Sequence, residues 1–295
     1  MHEGTMRTAA ILYPGEMGSA VGAMLVDDGW TVSACVVDRS DRTRKGARDA
    51  GIALVPTLTE AVAASELVMS LVPQDAVLET AREFAAAVRG RGDRRPVYLD
   101  ANSVAPERVA RVASLVSEAG GDAVDGAFVG SSRALGQKTA LYLSGTRAAE
   151  VAAALPASLR AKVVGGEVGS ASAFKLAFAG FNKGLVALFL ETAAAGDAVG
   201  RRAELLECLR EFYPGTVETV ERLLPSYPRH ARRRAQEMHE LAEWLTESGR
   251  EALMSCAAET VLERFAALGL ASDEPESLKT LLEDCRRRRF LSRID

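Results

Sequence analysis

The sequence predicts an α/β protein in two parts: a first half built as a mostly parallel β-sheet with crossover helices, and a second half that is all helix. Two observations carry this. Short β-rich apolar runs alternate with helical patterns as far as about Gly166. Beyond that point the β-branched runs stop, and stretches rich in Ala, Leu, Glu and Arg take over. Alternation of this kind requires crossovers, and crossovers make parallel sheets.

The elements follow in order. Thr8–Tyr13, Val32–Asp38, Leu67–Val72, Val97–Asp100, Val124–Val129, Ala140–Ser144 and Lys162–Val164 read as strands. Between them Met17–Asp28, Asp75–Val88 and Pro106–Ala119 show helical spacing, with Pro106 where a first turn tolerates a missing N–H. In the second half the helices are punctuated by Pro214, Pro225, Pro228 and the Glu274–Pro275 turn. The most apolar segment, Ala171–Gly196, is interrupted by Lys175, Asn182, Lys183 and Glu191. It therefore falls short of the ~20 apolar residues of a bilayer span and reads as a buried helix. It is too apolar on too many faces for the surface of a monomer, so a homodimer is expected.

The chain has 295 residues, 48% hydrophobic and 26% charged, enough to bury sizeable cores. A net charge of -4 gives no global drive toward nucleic acid or an anionic membrane, and neither partner is expected. Cys35, Cys208, Cys256 and Cys285 are too far apart for a metal clip, and His2, His230 and His239 are not spaced as a metal pair, so no metal is expected. Residues 1–10 lack the basic-then-apolar order of a signal peptide, and a reducing cytoplasm is the expected compartment. The run Arg286–Arg289 reads as a solvated helix end, and His230, His239 and Trp244 read as surface or packing residues of a charged amphipathic helix.

The first strand runs into Tyr13-Pro14-Gly15-Glu16-Met17-Gly18, and a helix with the small residues Ala20, Gly22 and Ala23 begins there. This strand, turn and helix order is what a dinucleotide site needs. Gly15 lets the backbone approach a pyrophosphate, the helix N-terminus supplies free N–H groups, and Gly18 permits close helix–strand packing. Tyr13 stands where the first glycine of GxGxxG would be. Asp38, 20 residues after Gly18, closes the second strand where an acidic residue accepts hydrogen bonds from the adenosine ribose. Arg39 and Ser40 follow, with Arg42, Arg44 and Lys45 behind, so a 2′-phosphate could be met there too. The expected cofactor is NADP or NAD, with NADP slightly preferred. The organisation is thus a Rossmann-type domain over 1–166 followed by a helical substrate and dimerisation domain over 167–295.

These residues resemble the β-hydroxyacid dehydrogenase superfamily, which holds the 3-hydroxyisobutyrate and 6-phosphogluconate dehydrogenases. Gly15-Glu16-Met17-Gly18 is similar to that family's glycine loop, and Ser70-Leu71-Val72-Pro73 to the end of its fourth strand. Asp100-Ala101-Asn102-Ser103-Val104-Ala105-Pro106 follows its Asp-x-Ser-Thr-x-x-Pro pattern. The resemblance places Val72, Pro73 and Asn102 beside the cofactor and Ser103 at the catalytic cleft. Asp125-Gly126-Ala127-Phe128-Val129-Gly130-Ser131 takes the place of the family's substrate segment, which implies substrate contacts from Val129, Gly130 and Ser131, with a valine at the serine position.

Gly169-Ser170-Ala171-Ser172-Ala173-Phe174-Lys175 resembles the family's Gly-x-Gly-x-x-x-Lys and makes Lys175 the catalytic lysine. The family's asparagine four residues on is Ala179 here; Asn182 and Lys183, about two turns beyond Lys175, are the replacement candidates, Asn182 as a catalytic and Lys183 as a substrate-binding residue. Together with the stretch Arg229–Met238, this resembles a subgroup of 6-phosphogluconate dehydrogenase-like proteins with a C-terminal helical domain of uncharacterised function. The implied activity is hydride transfer between nicotinamide and a small polar substrate, hydroxyacid-like or phosphorylated. A lysine among Ala, Phe and Leu is desolvated, which brings its pKa toward neutrality and suits it to proton transfer. Imine reduction is the alternative, with a cofactor-binding relative without turnover the non-enzymatic one. Imine reductases usually carry Asp or Tyr at the Lys175 position, which favours the hydroxyacid reading.

Overall fold

The computed structural model describes residues 6–37, 39–89, 95–270 and 277–292. It divides into two compact units, residues 1–175 and 176–295.

The first unit is one eight-stranded sheet with the order β3-β2-β1-β4-β5-β6-β7-β8. Its strands are β1 (Thr8–Leu12), β2 (Thr31–Cys35), β3 (Ala53–Val55), β4 (Leu67–Ser70), β5 (Val97–Asp100), β6 (Asp122–Val129), β7 (Ala140–Ser144) and β8 (Lys162–Gly165). All neighbours are parallel except β6 and β7. The helices are α1 (Glu16–Asp27), α2 (Asp41–Asp49), α3 (Leu58–Ala63), α4 (Val77–Val88), α5 (Pro106–Glu118) and α6 (Ala148–Ala154).

Crossover helices cover both faces of the sheet, so successive strand residues are buried on opposite sides. Ala9 and Ile11 pack with Val21, Leu25 and Trp30, while Ala10 and Leu12 pack with Val68, Val77 and Phe84. The strand order reverses at β1 and β4, which opens a crevice at their C-terminal ends.

Several strands stop earlier than the apolar pattern suggested. Tyr13, Leu71 and Val72 leave the ladder to form the crevice loops, and Val36 and Val37 continue beyond β2 without pairing. Asp38 lies outside the described residues. The pattern also passed over β3, α2, α3 and α6, because three-residue strands and Arg- or Ala-rich short helices carry too few apolar residues to show a period.

Helix α7 (Ser170–Ala198) begins in the first unit and continues into the second. By length and composition it is apolar enough to cross a bilayer, with an 18-residue window of mean hydropathy 1.4, which corrects the expectation that its charges keep it short of that mark. Within the second unit, however, Val186, Phe189, Leu190 and Ala193 are core residues. They pack with α8 (Arg202–Phe212), α9 (Pro214–Leu223), α10 (Tyr227–Glu247), α11 (Leu253–Ala267) and α12 (Leu278–Arg287) through Leu206, Val220, Met238, Leu262 and Leu281. Gly180 lets α10 come close: a Cβ there would stand 2.1 Å from Leu241 Cδ2. Arg202 ties the end of α7 to α12 through Asp197 at 2.9 Å and Glu283 at 2.5 Å. The Glu274–Pro275 turn lies outside the described residues.

Candidate cofactor and active site

Three loops meet at the C-terminal ends of β1, β4 and β5. In the first, Tyr13 takes a left-handed backbone with φ 67°, the conformation for which a glycine is ordinarily needed. The Tyr13 carbonyl accepts from Gly15 N–H at 2.8 Å, and the Arg39 guanidinium lies 5.0 Å from the centre of the Tyr13 ring. A tyrosine thus reproduces the tight turn of the missing glycine.

Gly18 is the position that cannot change. A Cβ there would come within 2.8 Å of the Tyr13 carbonyl oxygen and 3.2 Å of Ile11 Cγ2. Helix α1 starts at Glu16 with Gly15 as N-cap and no side chain capping it, so its first N–H groups face the loop. That open, glycine-bordered helix end fits the pyrophosphate of a dinucleotide. Glu16 turns away to accept a hydrogen bond from Ser132 Oγ at 2.6 Å, which ties the glycine loop to the β6–β7 connection.

Arg39 and Ser40 follow β2. Ser40 is the N-cap of α2, accepting from Thr43 N–H at 3.3 Å. Arg44 donates to the carbonyls of Val37 and Arg39 and pairs with Asp41, so it braces this loop. Arg39 alone of these is aimed at the crevice side, over Tyr13. An open cleft of about 650 Å³ lies at this edge, lined by Cys35, Val37, Arg39, Leu58, Thr59 and Glu83 among others. Sequence reasoning missed Leu58, Thr59 and Glu83; the Thr57 N-cap of α3 was the available signal.

The second and third loops are joined by Asn102. Its Oδ1 accepts from Val72 N–H at 2.7 Å, and its Nδ2 donates to Ser70 Oγ at 3.0 Å and Asp100 Oδ1 at 2.7 Å. Its own N–H also donates to Asp100 Oδ1, at 3.0 Å. Asn102 is buried, so its amide holds Val72 and Pro73 in position. Asp100 Oδ2 is buried with no hydrogen-bond partner among the described residues, and burial pushes the Asp100 carboxyl up to about 6, against the Asn102 hydrogen bonds. Ser103 is exposed on this loop, its carbonyl accepting from the Gln74 amide.

The substrate segment runs along β6. Val129 ends the strand half-buried, and Gly130 and Ser131 are exposed. Gly130 has φ 132°, and a Cβ would meet Thr139 Cα at 2.8 Å, so only glycine fits. Thr139 Oγ1 donates to the Ser131 carbonyl at 2.7 Å.

Asp125, in the middle of the segment, is fully buried and accepts from Gly169 N–H at 3.0 Å, Ser172 N–H at 2.9 Å, Ser172 Oγ at 2.7 Å and Ser144 Oγ at 3.2 Å. One carboxylate thereby caps α7 and fixes its first turn to the sheet, with half-buried Lys175 one turn further on. Phe174 packs its ring 4.4 Å from that of Tyr142 on β7.

In the second unit, Lys183 is buried and ion-paired with Glu237 of α10 at 2.8 Å, while Asn182 is half-buried. Among the described residues no group of three His, Cys, Asp or Glu is placed to hold a metal.

The order reversal at β1 and β4, the uncapped α1 N-terminus and the glycine-tight loop define a Rossmann-type dinucleotide-binding protein. Residues 11–161, just over half of the chain, match the NAD binding domain of 6-phosphogluconate dehydrogenase, and residues 197–265 match a domain of unknown function. The chain belongs to the 6-phosphogluconate dehydrogenase-like NAD-binding family, in the subgroup with that C-terminal domain.

Among solved structures, a conserved hypothetical protein from Sinorhizobium meliloti 1021 is 26% identical, with a TM-score of 0.77 over 96% of this chain and 97% of that one. A conserved protein of unknown function, described as structurally similar to 3-hydroxyacid dehydrogenases, is 28% identical, with a TM-score of 0.71 over 90% and 100%. The 3-hydroxyisobutyrate dehydrogenase of Mycobacterium tuberculosis, solved with L-serine, shares the fold at 19% identity, with a TM-score of 0.73 over 95% and 99%.

Proposed function

We propose that this protein is an NADP- or NAD-dependent dehydrogenase acting on a small polar substrate that carries a carboxylate or phosphate, with Lys175 as the general acid/base. The observation that carries the reading is the four-bond anchorage of the start of α7 by Asp125, which holds the lysine-bearing turn rigidly on the sheet. When bound, the nicotinamide supplies or takes the hydride.

The chain's own groups do the rest. The α1 N-terminus and the backbone of Tyr13–Gly18 bind the pyrophosphate, and Val72 and Pro73, set by Asn102, border the nicotinamide side. Arg39, stacked on Tyr13, faces the adenosine end and favours NADPH at least as well as NADH. Lys175 Nζ gives or takes the proton at the substrate oxygen, and exposed Gly130, Ser131 and Ser103 orient the substrate.

The protein works as a homodimer in this reading. Phe178, Phe181 and Leu188 form an exposed apolar face of α7 at helical spacing, which a second copy would cover.

The test is a cofactor-coupled screen over hydroxyacids, the corresponding aldehydes and imines, with fluorescence titration of NADPH and NADH. Lys175→Met should keep cofactor affinity and lower kcat by about 10²–10⁴-fold, the usual worth of a positioned acid/base. A variant retaining most of its kcat would move the proton to another group.

A further inference from the structure

The second unit holds a cluster of cations that the hydride-transfer reading does not use. His230, Arg233, Arg234 and Glu237 lie at helical spacing on one side of α10, with Arg229 a residue before them. Arg234 is the organised member: its guanidinium stacks 3.7 Å from the centre of the buried Tyr227 ring, and its Nη2 donates to Ser226 Oγ at 2.8 Å. Its Nη1 is buried and donates to no group among the described residues.

The charges do not balance. Glu237 is the acidic group here, and it is engaged by Lys183 of α7 at 2.8 Å, with Arg233 Nε at 3.8 Å. No carboxylate among the described residues pairs with Arg229 or Arg234. Burial, then Arg233, Arg234 and Arg229, push His230 below its ordinary range, while Glu237 acts the other way. Burial also lowers Arg234, with Arg233 adding to the effect, against Tyr227 and Glu237. Arg232 belongs elsewhere: it lines a separate cleft with Gln236, Glu259 and Glu263.

From this geometry we infer that Arg229, His230, Arg233 and Arg234 form an anion-binding site for the carboxylate or phosphate group of a small molecule. A planar guanidinium already fixed by stacking and by Ser226 loses little freedom on taking an oxyanion, and its fork matches a carboxylate or phosphate in two-point contact. An anion also relieves the crowding of like charges that the fold maintains, and partial burial makes each charge-assisted bond stronger than in water. Lys183 and Glu237 border the site and fix α10 against α7. Assigning the anion to the substrate rests on the oxidoreductase reading; the binding of an anion does not.

The experiment is calorimetric titration of the full chain at low ionic strength with inorganic phosphate and with malonate, which separates the two sources of negative charge. Arg229→Gln and Arg233→Gln, both at exposed positions, should each weaken binding of the preferred anion about tenfold, the worth of one charge-assisted hydrogen bond. Arg234→Lys, which keeps charge but loses the fork, should do so as well, and Arg232→Gln should leave affinity at the wild-type value. His230 observed by NMR should titrate at higher pH when the anion is present. Equal affinities in all five proteins, or no binding of either anion to the wild type, would overturn the inference. NADPH titration of the same proteins separates the two readings, because the variants should bind cofactor as the wild type does, and loss of cofactor binding by the wild type would instead count against the hydride-transfer reading.

Discussion

Asp100 is a buried carboxyl whose neutralisation should stabilise the first unit, and the effect can be sized. Its pKa rises from 3.8 to about 6. At about 1.4 kcal/mol per unit this is about 3 kcal/mol against the ionised folded state. Below pH 4 both folded and unfolded chains carry the proton, and Asp100 has no pH-dependent effect. Between 4 and 6 the folded state holds a proton that the unfolded chain has lost, so stability falls as pH rises. Above 6 the full penalty remains. Asp100→Asn keeps an oxygen for the two bonds from Asn102 and cannot ionise. Its advantage over wild type should therefore grow by about 3 kcal/mol from pH 4 to pH 7. Urea unfolding in a Trp244→Phe background, where buried Trp30 reports the sheet unit, measures this directly. A difference between the two proteins that stays constant with pH to within about 0.5 kcal/mol would refute the argument.

Two further outcomes follow from the geometry. Gly18→Ala drives a Cβ against the Tyr13 carbonyl oxygen, a backbone atom that cannot turn aside, so NADPH affinity should fall at least about tenfold while the helical unit stays folded; unchanged affinity by fluorescence titration would contradict it. Phe181→Glu places a charge at the centre of the exposed α7 face and, if the proposed dimer forms, should give a monomer mass in light scattering where the wild type gives twice that, and a monomeric wild type at micromolar concentration would remove the dimer from the reading.

The parts legible in the sequence are those where periodicity and glycine carry the information. The apolar runs around β1, β4, β5 and β7 showed because both sheet faces bury them, and Gly18 showed because the Tyr13 carbonyl allows nothing larger, while a Cβ on Gly15 would meet the Tyr13 ring. The left-handed turn at Tyr13 was not legible: the residue type argues against it, and the fold imposes it. Asn102 read as a residue beside the cofactor, yet its amide is spent on Val72, Ser70 and Asp100, partners 30, 32 and 2 residues away. Such closure needs three strand ends in register, which no local pattern encodes. The Ser132–Glu16 bond, spanning 116 residues, was equally out of reach. Lys183 read as a polar interruption of an apolar helix, and only α10 reveals Glu237 as its partner.

Asp125 unites the fold with the proposed chemistry, and its removal tests that union. In sequence it is one residue of a substrate segment; in the structure its carboxylate is the N-cap of the helix that carries Lys175. Asp125→Ala would leave the Gly169 and Ser172 N–H groups and two hydroxyls without their acceptor in a buried place. Each buried neutral donor left without an acceptor costs about 1–3 kcal/mol. Asp125→Asn keeps one acceptor oxygen but turns an N–H₂ toward donors, so it should lie between wild type and alanine. Hydrogen exchange resolves the mechanism: protection of the Gly169 and Ser172 amides should drop in both variants, while amides of β1 and β4 lose protection only as far as global stability falls. If the Gly169 and Ser172 amides exchange as slowly in Asp125→Ala as in wild type, the helix start is held by something else. Lys175 would then owe its position to the packing of Phe174 on Tyr142 rather than to the buried carboxylate.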